Sequence, residues 1–376
     1  MPKSAPRTWL LVGITAAAAT PAPSQEGAEI EDLRALMLSG GATLVGLFPD
    51  DSRVLDDQTL SVDLDIERPT RNGRWLAYFE GNSSLDPQAA STIVIESNAD
   101  AGTAVDADLD GRIQLSEVNF RRALSRGRYL TAGLLDPSSY LDRSRITNDE
   151  NVQFLGASFV QNPTIGFPDY TLGAVYQAPA SERRPEINAV LTSSHGIADN
   201  PNLSYSQLLQ IAENDKGVFG AVGLGWINEQ RLIRIGAWIN TRPHEELSGG
   251  EATHENRGLY AVFGHAWGIH AINLRLGRAD DDVSIASRFA SFAYRLRLRE
   301  RDAFGIGMAR AWVSPEITDP LRNDSVHVEA YLRLSVTAAA HVTISAQRVR
   351  HSGFVATPDD PRESITLAGL RLHYAF

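Results

Sequence analysis

The stretch "DADLDGRIQLSE" places Asp106, Asp108 and Asp110 at loop positions one, three and five, Gly111 at six and Glu117 at twelve. Oxygen donors at those offsets, with a glycine for the sharp turn, are the pattern of a calcium loop. The ligand set would be Asp106, Asp108, Asp110, the Arg112 carbonyl, Gln114 and Glu117. The helices that normally flank such a loop are missing, so the competing expectation is a plain Asp-Gly turn with solvated acids. A second constellation is a set of arginines that alternate with apolar residues, as in "HAINLRLGR", "FASFAYRLRLR" and "HVEAYLRLSV". Each guanidinium offers several rigid donors and keeps its charge. A third, "TSSHG", puts Ser193 and Ser194 beside His195. Those are the types of a nucleophile and its base, but adjacent strand residues point apart and no nucleophile elbow accompanies them. No enzyme is expected.

The elements that must position these residues are strands. In "ESITLAGLRLHYAF" one face carries Thr366, Ala368, Leu370, Leu372 and Tyr374, and the other Leu367, Gly369, Arg371, His373 and Ala375. A strand sends alternate side chains to opposite faces, so one face is apolar and the other charged. "HVEAYLRLSV" sets Val328, Ala330, Leu332 and Leu334 against His327, Glu329, Tyr331 and Arg333. "RLIRIGAWIN" and "TLSVDLDIE" repeat the pattern, with Arg234 and Trp238 on one polar face and Asp63, Asp65 and Glu67 on another. Arginine in mid-strand fits poorly in a soluble sandwich. It suits a membrane barrel, which turns apolar residues out to lipid and polar residues in to water.

Spacing supports the barrel. About sixteen strands are expected, centred near residues 45, 63, 79, 118, 132, 174, 191, 222, 236, 263, 274, 291, 308, 331, 345 and 370. Tight links such as "SRG" and "NEQ" alternate with wide ones such as "TRPHEELSGGEATHEN". Short turns at one end and long loops at the other are the arrangement of outer-membrane barrels. The expected fold class is therefore all-β, a transmembrane antiparallel barrel over 42–376 with both termini periplasmic. Sixteen strands leave a water-filled interior.

The remaining composition narrows the partners. A net charge of −11 without a basic segment argues against nucleic acid, and the lack of cysteine rules out disulfides and thiolate metal sites. Residues 1–22 read as a signal peptide: Lys3 and Arg7, then an apolar run shorter than the ~20 residues of a membrane helix, then small residues. Segment 23–41 reads as a short periplasmic helix, with Ile30, Leu33 and Met37 on one face and a Gly pair as its stop.

Gly111 to Tyr176 resembles the carbohydrate-selective, glucose-type porins of Gram-negative outer membranes. The resemblance rests on "GRIQLSEVNF", "GRYLTAGLLDPSSYLD" and "NDENVQFLGASFVQNPTIGFPDYTLGAVYQ". Asn148, Asp149, Glu150, Gln153, Phe154, Asn162, Pro163, Phe167 and Pro168 stand in the family order. The Trp-Gly-Gly run usual near the mature N-terminus of that family is absent. The resemblance implies passive passage of small sugars, with a long loop, here about 137–170, folded into the lumen.

Alternation places Arg234, Arg275, Arg295, Arg297, Arg333 and Arg371 in the channel, with Asp63 and Glu329 opposite in charge. Such a lining offers hydrogen bonds to passing hydroxyls. Trp238 is a candidate to stack on a sugar ring, and Asp149 and Glu150 to line the narrowest point. No cofactor is required by this reading, apart from calcium at the 106–117 loop. The partners are small carbohydrates and outer-membrane lipid, and the barrel is a monomer or a homotrimer. The alternative solutes are other small polar or anionic molecules, and a barrel hydrolase is the rival of another class.

Overall fold

A computed structural model describes residues 35–181, 184–197, 205, 208, 217–249 and 253–376. The period-two segments form sixteen antiparallel strands, each paired with its sequence neighbours, and the sheet closes on itself. In chain order they are β1 (Met37–Pro49), β2 (Asp57–Thr70), β3 (Gly73–Asn82), β4 (Ile113–Ala123), β5 (Tyr129–Leu135), β6 (Thr171–Ala178), β7 (Glu186–Ser193) and β8 (Val218–Ile227). They continue as β9 (Arg231–Glu245), β10 (Thr253–Trp267), β11 (His270–Ala279), β12 (Ala286–Arg297), β13 (Ala303–Val313), β14 (Ser325–Ser335), β15 (Ala340–Arg350) and β16 (Ser364–Ala375). Every expected strand centre falls inside one of them. Among the described residues, two single-turn α-helices, α1 (Ala90–Ile93) and α2 (Ala157–Val160), lie in loops.

Closure removes the unpaired edges that would otherwise expose backbone polar groups to lipid. β1 meets β16 in the register Gly41 to Ala375, and the Gly40 N–H donates to the Phe376 carbonyl at 3.0 Å. The first and last strands thus start and finish at one end of the barrel. The turns at that end are short: 71–72, 124–128, 179–185, 228–230, 268–269, 298–302 and 336–339. The opposite end carries the long loops, above all 83–112 and 136–170.

The sides are inverted relative to a water-soluble protein. Leu259 is 62% exposed and Ile344 56%, whereas Arg275 and Glu329 are fully buried. The same alternation runs along β16, where Leu370 and Leu372 are exposed and Arg371 is buried between them. Among the described residues no helix is long and apolar enough to cross a membrane. The apolar faces of the strands are what a bilayer would contact.

One expectation is corrected at the N-terminus. Met37–Gly41 belong to β1 instead of a helix, and pair with β2 in the register Met37 to Glu67. The glycine pair is there for space. A Cβ at Gly40 would lie 2.2 Å from the Asp63 carbonyl, and one at Gly41 would meet the His373 ring at 2.7 Å. The signal peptide and the start of the expected helix lie outside the described residues.

Candidate channel constriction

The 136–170 loop enters the barrel and is built to keep its shape. Asp136 caps the first turn by accepting from the Ser138 N–H at 2.8 Å. Asn148, at φ 80°, accepts from the Ser144 N–H at 2.7 Å and donates to the Asp142 and Val160 carbonyls. Asn tolerates this left-handed backbone better than most residues, because its short amide bonds locally. Phe154 stacks on Phe159 with ring centroids 4.6 Å apart, and Tyr331 of β14 meets Phe154 edge-on at 4.9 Å. Leu141 and Ile165 bury against Phe219, Trp238 and Tyr260 on the other side of the lumen.

Five of the expected inward-facing charges, Glu329, Arg275, Arg371, Arg333 and Arg234, hold this loop. Glu329 accepts from the Leu155 and Gly156 N–H groups at 2.9 and 2.8 Å. Gly156 is required there, since a Cβ would fall 2.1 Å from His327 and 2.9 Å from Glu329 itself. Arg275 ion-pairs with Asp142 in full burial and donates to the Phe159 carbonyl at 2.8 Å. Arg371 donates to the Gln153 carbonyl at 2.7 Å and to that of Glu150. Arg333 reaches the Val152 carbonyl at 2.8 Å, and Arg234 the Arg143 carbonyl at 3.2 Å and Glu186 at 2.6 Å. Backbone carbonyls turned inward need donors, and four of the six expected lumen arginines supply them. Arg295 is half-buried; Arg297 is exposed beside the turn at 268–269, donating to the Gly268 carbonyl at 3.3 Å. Trp238 faces inward as alternation requires, but the loop covers it and it stacks against Phe219.

The 83–112 loop folds inward as well. Ala90 and Val94 are buried with Leu155, Val349 and Ile365. Asp100 accepts from Ser61 at 2.6 Å, and Gln347 of β15 donates to the Ser97 carbonyl at 2.9 Å. The two loops are stitched together through Ala99 N–H to Leu155 carbonyl and Ala157 N–H to Glu96 carbonyl, each at 2.9 Å. The apolar run "STIVI" was the legible signal for this.

What stays open is a cavity of about 910 Å³ between the two loops and the wall made by β16 and β1–β4. Its lining includes Asp63, Asp65, Glu80, Glu117, Asp136, Asp149, Glu150 and Asp169, against Arg143 and His373 as the basic groups. Expected residues Asp63, Asp149 and Glu150 are therefore at the opening; the expected arginines are not among its lining. Tyr78 and Tyr170 were not anticipated. Their rings lie 6.4 Å apart, and the Tyr78 hydroxyl donates to Asp63 at 2.8 Å. The period-two run "WLAYFEG" carried the signal for Tyr78 and Glu80. Burial pushes the Glu150 carboxyl up to about 8, with the nearby Asp100 and Asp149 charges adding to it. Burial likewise raises Asp100 to about 6, partly offset by the Ser61 hydrogen bond.

The six candidate calcium ligands are not gathered. Asp106 accepts from the Asp108 and Asp110 N–H groups at 3.0 and 2.9 Å, closing an Asx-type turn at the exposed end of its loop. Strand β4 begins at Ile113 and carries Gln114 to a hydrogen bond with Ser116, while Glu117 points into the cavity opposite Tyr78. Arg112 lies just before β4, its side chain donating to Gln114 at 2.7 Å. Among the described residues no group of three or more His, Asp or Glu side chains is arranged to hold a metal ion. Strand formation draws Glu117 away from the turn. In "TSSHG", the Ser193 hydroxyl accepts from the His195 N–H at 3.2 Å and that of Ser194 from Gly217 N–H at 2.8 Å, so both hydroxyls serve the backbone.

Solved porins share this architecture. Pseudomonas putida OprB, in a high-pH structure, superposes with a TM-score of 0.67 at 14% identity, covering 93% of this chain and 96% of that one. A loop-deletion mutant of OmpT from Vibrio cholerae gives 0.56 at 11% identity, covering 92% and 100%. A mutant of the Rh. blastica porin gives 0.55 at 12% identity, covering 91% and 100%. At these identities the likeness is one of fold. None of the curated proteins matches the sequence. Residues 98–376, about three quarters of the sequence, match the family described as carbohydrate-selective porin, OprB family, and with a barrel shared by solved porins this chain belongs to that family of outer-membrane porins.

Proposed function

We propose that this porin passes small carbohydrates down their gradient through the acid-walled opening beside β1–β4. The observation that carries the reading is the tyrosine and carboxylate lining of the cavity of about 910 Å³. Carboxylates accept hydrogen bonds from sugar hydroxyls, and tyrosines offer a flat apolar face with a polar edge. The arginines act mainly as clamps for the loop, so the selectivity is assigned to the acidic wall. A lining in which acids outnumber bases disfavours anions, which weighs against the anionic-solute alternative. The short turns and both termini belong on the periplasmic side, with the long loops outside, as in other barrels of this kind.

Liposome swelling with neutral, anionic and cationic solutes of graded size tests this. Neutral mono- and disaccharides should enter, and sugar acids of equal size should enter more slowly. Equal or faster entry of the sugar acids, or no swelling with any sugar, rejects the proposal.

A further inference from the structure

We infer that the outer face of β5–β15 near the long-loop end is a docking surface for a phosphorylated glycolipid of the lipid A class. Among the described residues, Arg257, Arg278, Arg288, Arg310, Arg348 and Arg350 occupy outward, exposed positions on that face. They are lateral neighbours. Arg278 pairs in register with Arg288, Arg288 with Trp312 and Arg350 with Val326, while Arg310 is in cation–π contact with Trp312. Five of them stand at the loop end of a strand with an apolar residue next below on the outward face, for example Leu276 below Arg278 and Met308 below Arg310, while Arg350 sits one outward step above Arg348. An arginine on the lipid face costs about 2–4 kcal/mol at the bilayer midplane and about 0–1 near the interface. The row therefore marks headgroup depth, where an anion is the complementary partner.

Three of the arginines touch acids: Arg257 with Asp280 at 3.6 Å, Arg278 with Asp281 at 3.0 Å and Arg310 with Asp324 at 2.5 Å. Such exposed pairs contribute little, so a phosphate competes with the carboxylate for the guanidinium. Arg288, Arg348 and Arg350 have no carboxylate within ion-pair distance among the described residues; Arg348 donates instead to the Thr366 and Ser364 hydroxyls. Beneath Arg257 and Arg278 the barrel wall is dented. Ala174, Ala189, Gly220 and Ala237 form the floor of a mainly apolar groove of about 1050 Å³, walled by Leu191 and Leu259, each 62% exposed, with Asp280, Asp281 and Asp282 beside Arg257 and Arg278 at its rim. Phosphate above and an acyl chain below is the ligand that satisfies both halves. The inference rests on the orientation proposed above, because a phosphorylated glycolipid belongs to the outer leaflet.

The test uses the full barrel in detergent with bisphosphorylated lipid A, the same lipid freed of phosphate, and phosphatidylglycerol, read by native mass spectrometry. The bisphosphorylated form should be retained preferentially. Arg278→Ala with Arg288→Ala should cut retention about tenfold or more, at about 1 kcal/mol per arginine. Gly220→Leu should weaken it by filling the groove; a Cβ there meets only ordinary contacts at 3.6 Å, and unchanged heat-modifiable mobility of the variant checks that the barrel is folded. Channel conductance should not change in these variants. Equal retention by the variants, equal retention of the phosphate-free lipid, or a changed oligomeric mass in place of lipid loss overturns the inference. Orientation is read separately with Leu321→Cys in this cysteine-free chain, labelled on intact cells by a membrane-impermeant maleimide. Failure of labelling rejects the orientation, whereas failure of lipid retention alone rejects the docking surface.

Discussion

Glu329 spends both carboxylate oxygens on two consecutive backbone N–H groups, those of Leu155 and Gly156, at the point where the inward loop crosses the lumen. Hydrogen bonds to a charged group contribute about 1.5–3 kcal/mol each. Glu329→Ala should therefore leave the barrel closed but release the loop. Single-channel recording should show higher, noisier conductance than the parent. Gly156→Ala should act in the same direction by collision with His327. Unchanged conductance in both would mean that the loop is held elsewhere.

Arg275 and Asp142 form a buried pair between β11 and the loop. Removing one partner strands a charge, at a cost of about 3–5 kcal/mol. Arg275→Ala and Asp142→Ala should each destabilise the fold by about that amount, and the double variant by clearly less than their sum. A denaturant-unfolding cycle on the folded barrel measures this, and additivity would show that the two do not act as a unit.

The channel should respond to pH. Glu150 is raised to about 8 and Asp100 to about 6, so both are mainly protonated below those values and ionise as pH rises through them. Negative charge at the opening, from Glu150, and just behind it, from Asp100, then grows with pH. The ratio of potassium to chloride permeability, from reversal potentials, should rise between pH 6 and about 9. Glu150→Gln should remove the upper part of the rise. A flat ratio would argue that neither carboxyl faces the conducting path.

Tyr78 ties the sugar reading to one hydroxyl. Tyr78→Phe keeps the ring and loses the donor to Asp63, a change of about 1 kcal/mol. Block of ion current by a permeant sugar should weaken about fivefold. Trp238→Phe, under the loop, should leave the block unaltered. The reverse ranking would return the sugar contact to the Trp238 side of the lumen.

Much of this was legible in the residues. Phe292, Leu274 and Leu370 alternate with Ser291, Arg275 and Arg371, and that period of two decides which face meets lipid, because side-chain direction along a strand follows from backbone geometry alone. Sixteen such runs with alternating short and long links left little choice but a closed barrel. The partners of the inward face were not legible. Arg275 and Arg371 read as channel lining because alternation says where a side chain points, and nothing about what lies in front of it. Whether water, a sugar or another segment fills that space depends on contacts between residues far apart in the chain, such as Arg275 with Asp142 or Gln347 with Ser97. The same limit separated Glu117 from Asp106: their offset suited a metal loop, but hydrogen bonding of β4 to β3 extended the backbone and carried the carboxylate to the channel. Local periodicity determined the barrel and its two faces; only the packing of the two loops decided which charges are clamps and which remain free to meet a solute.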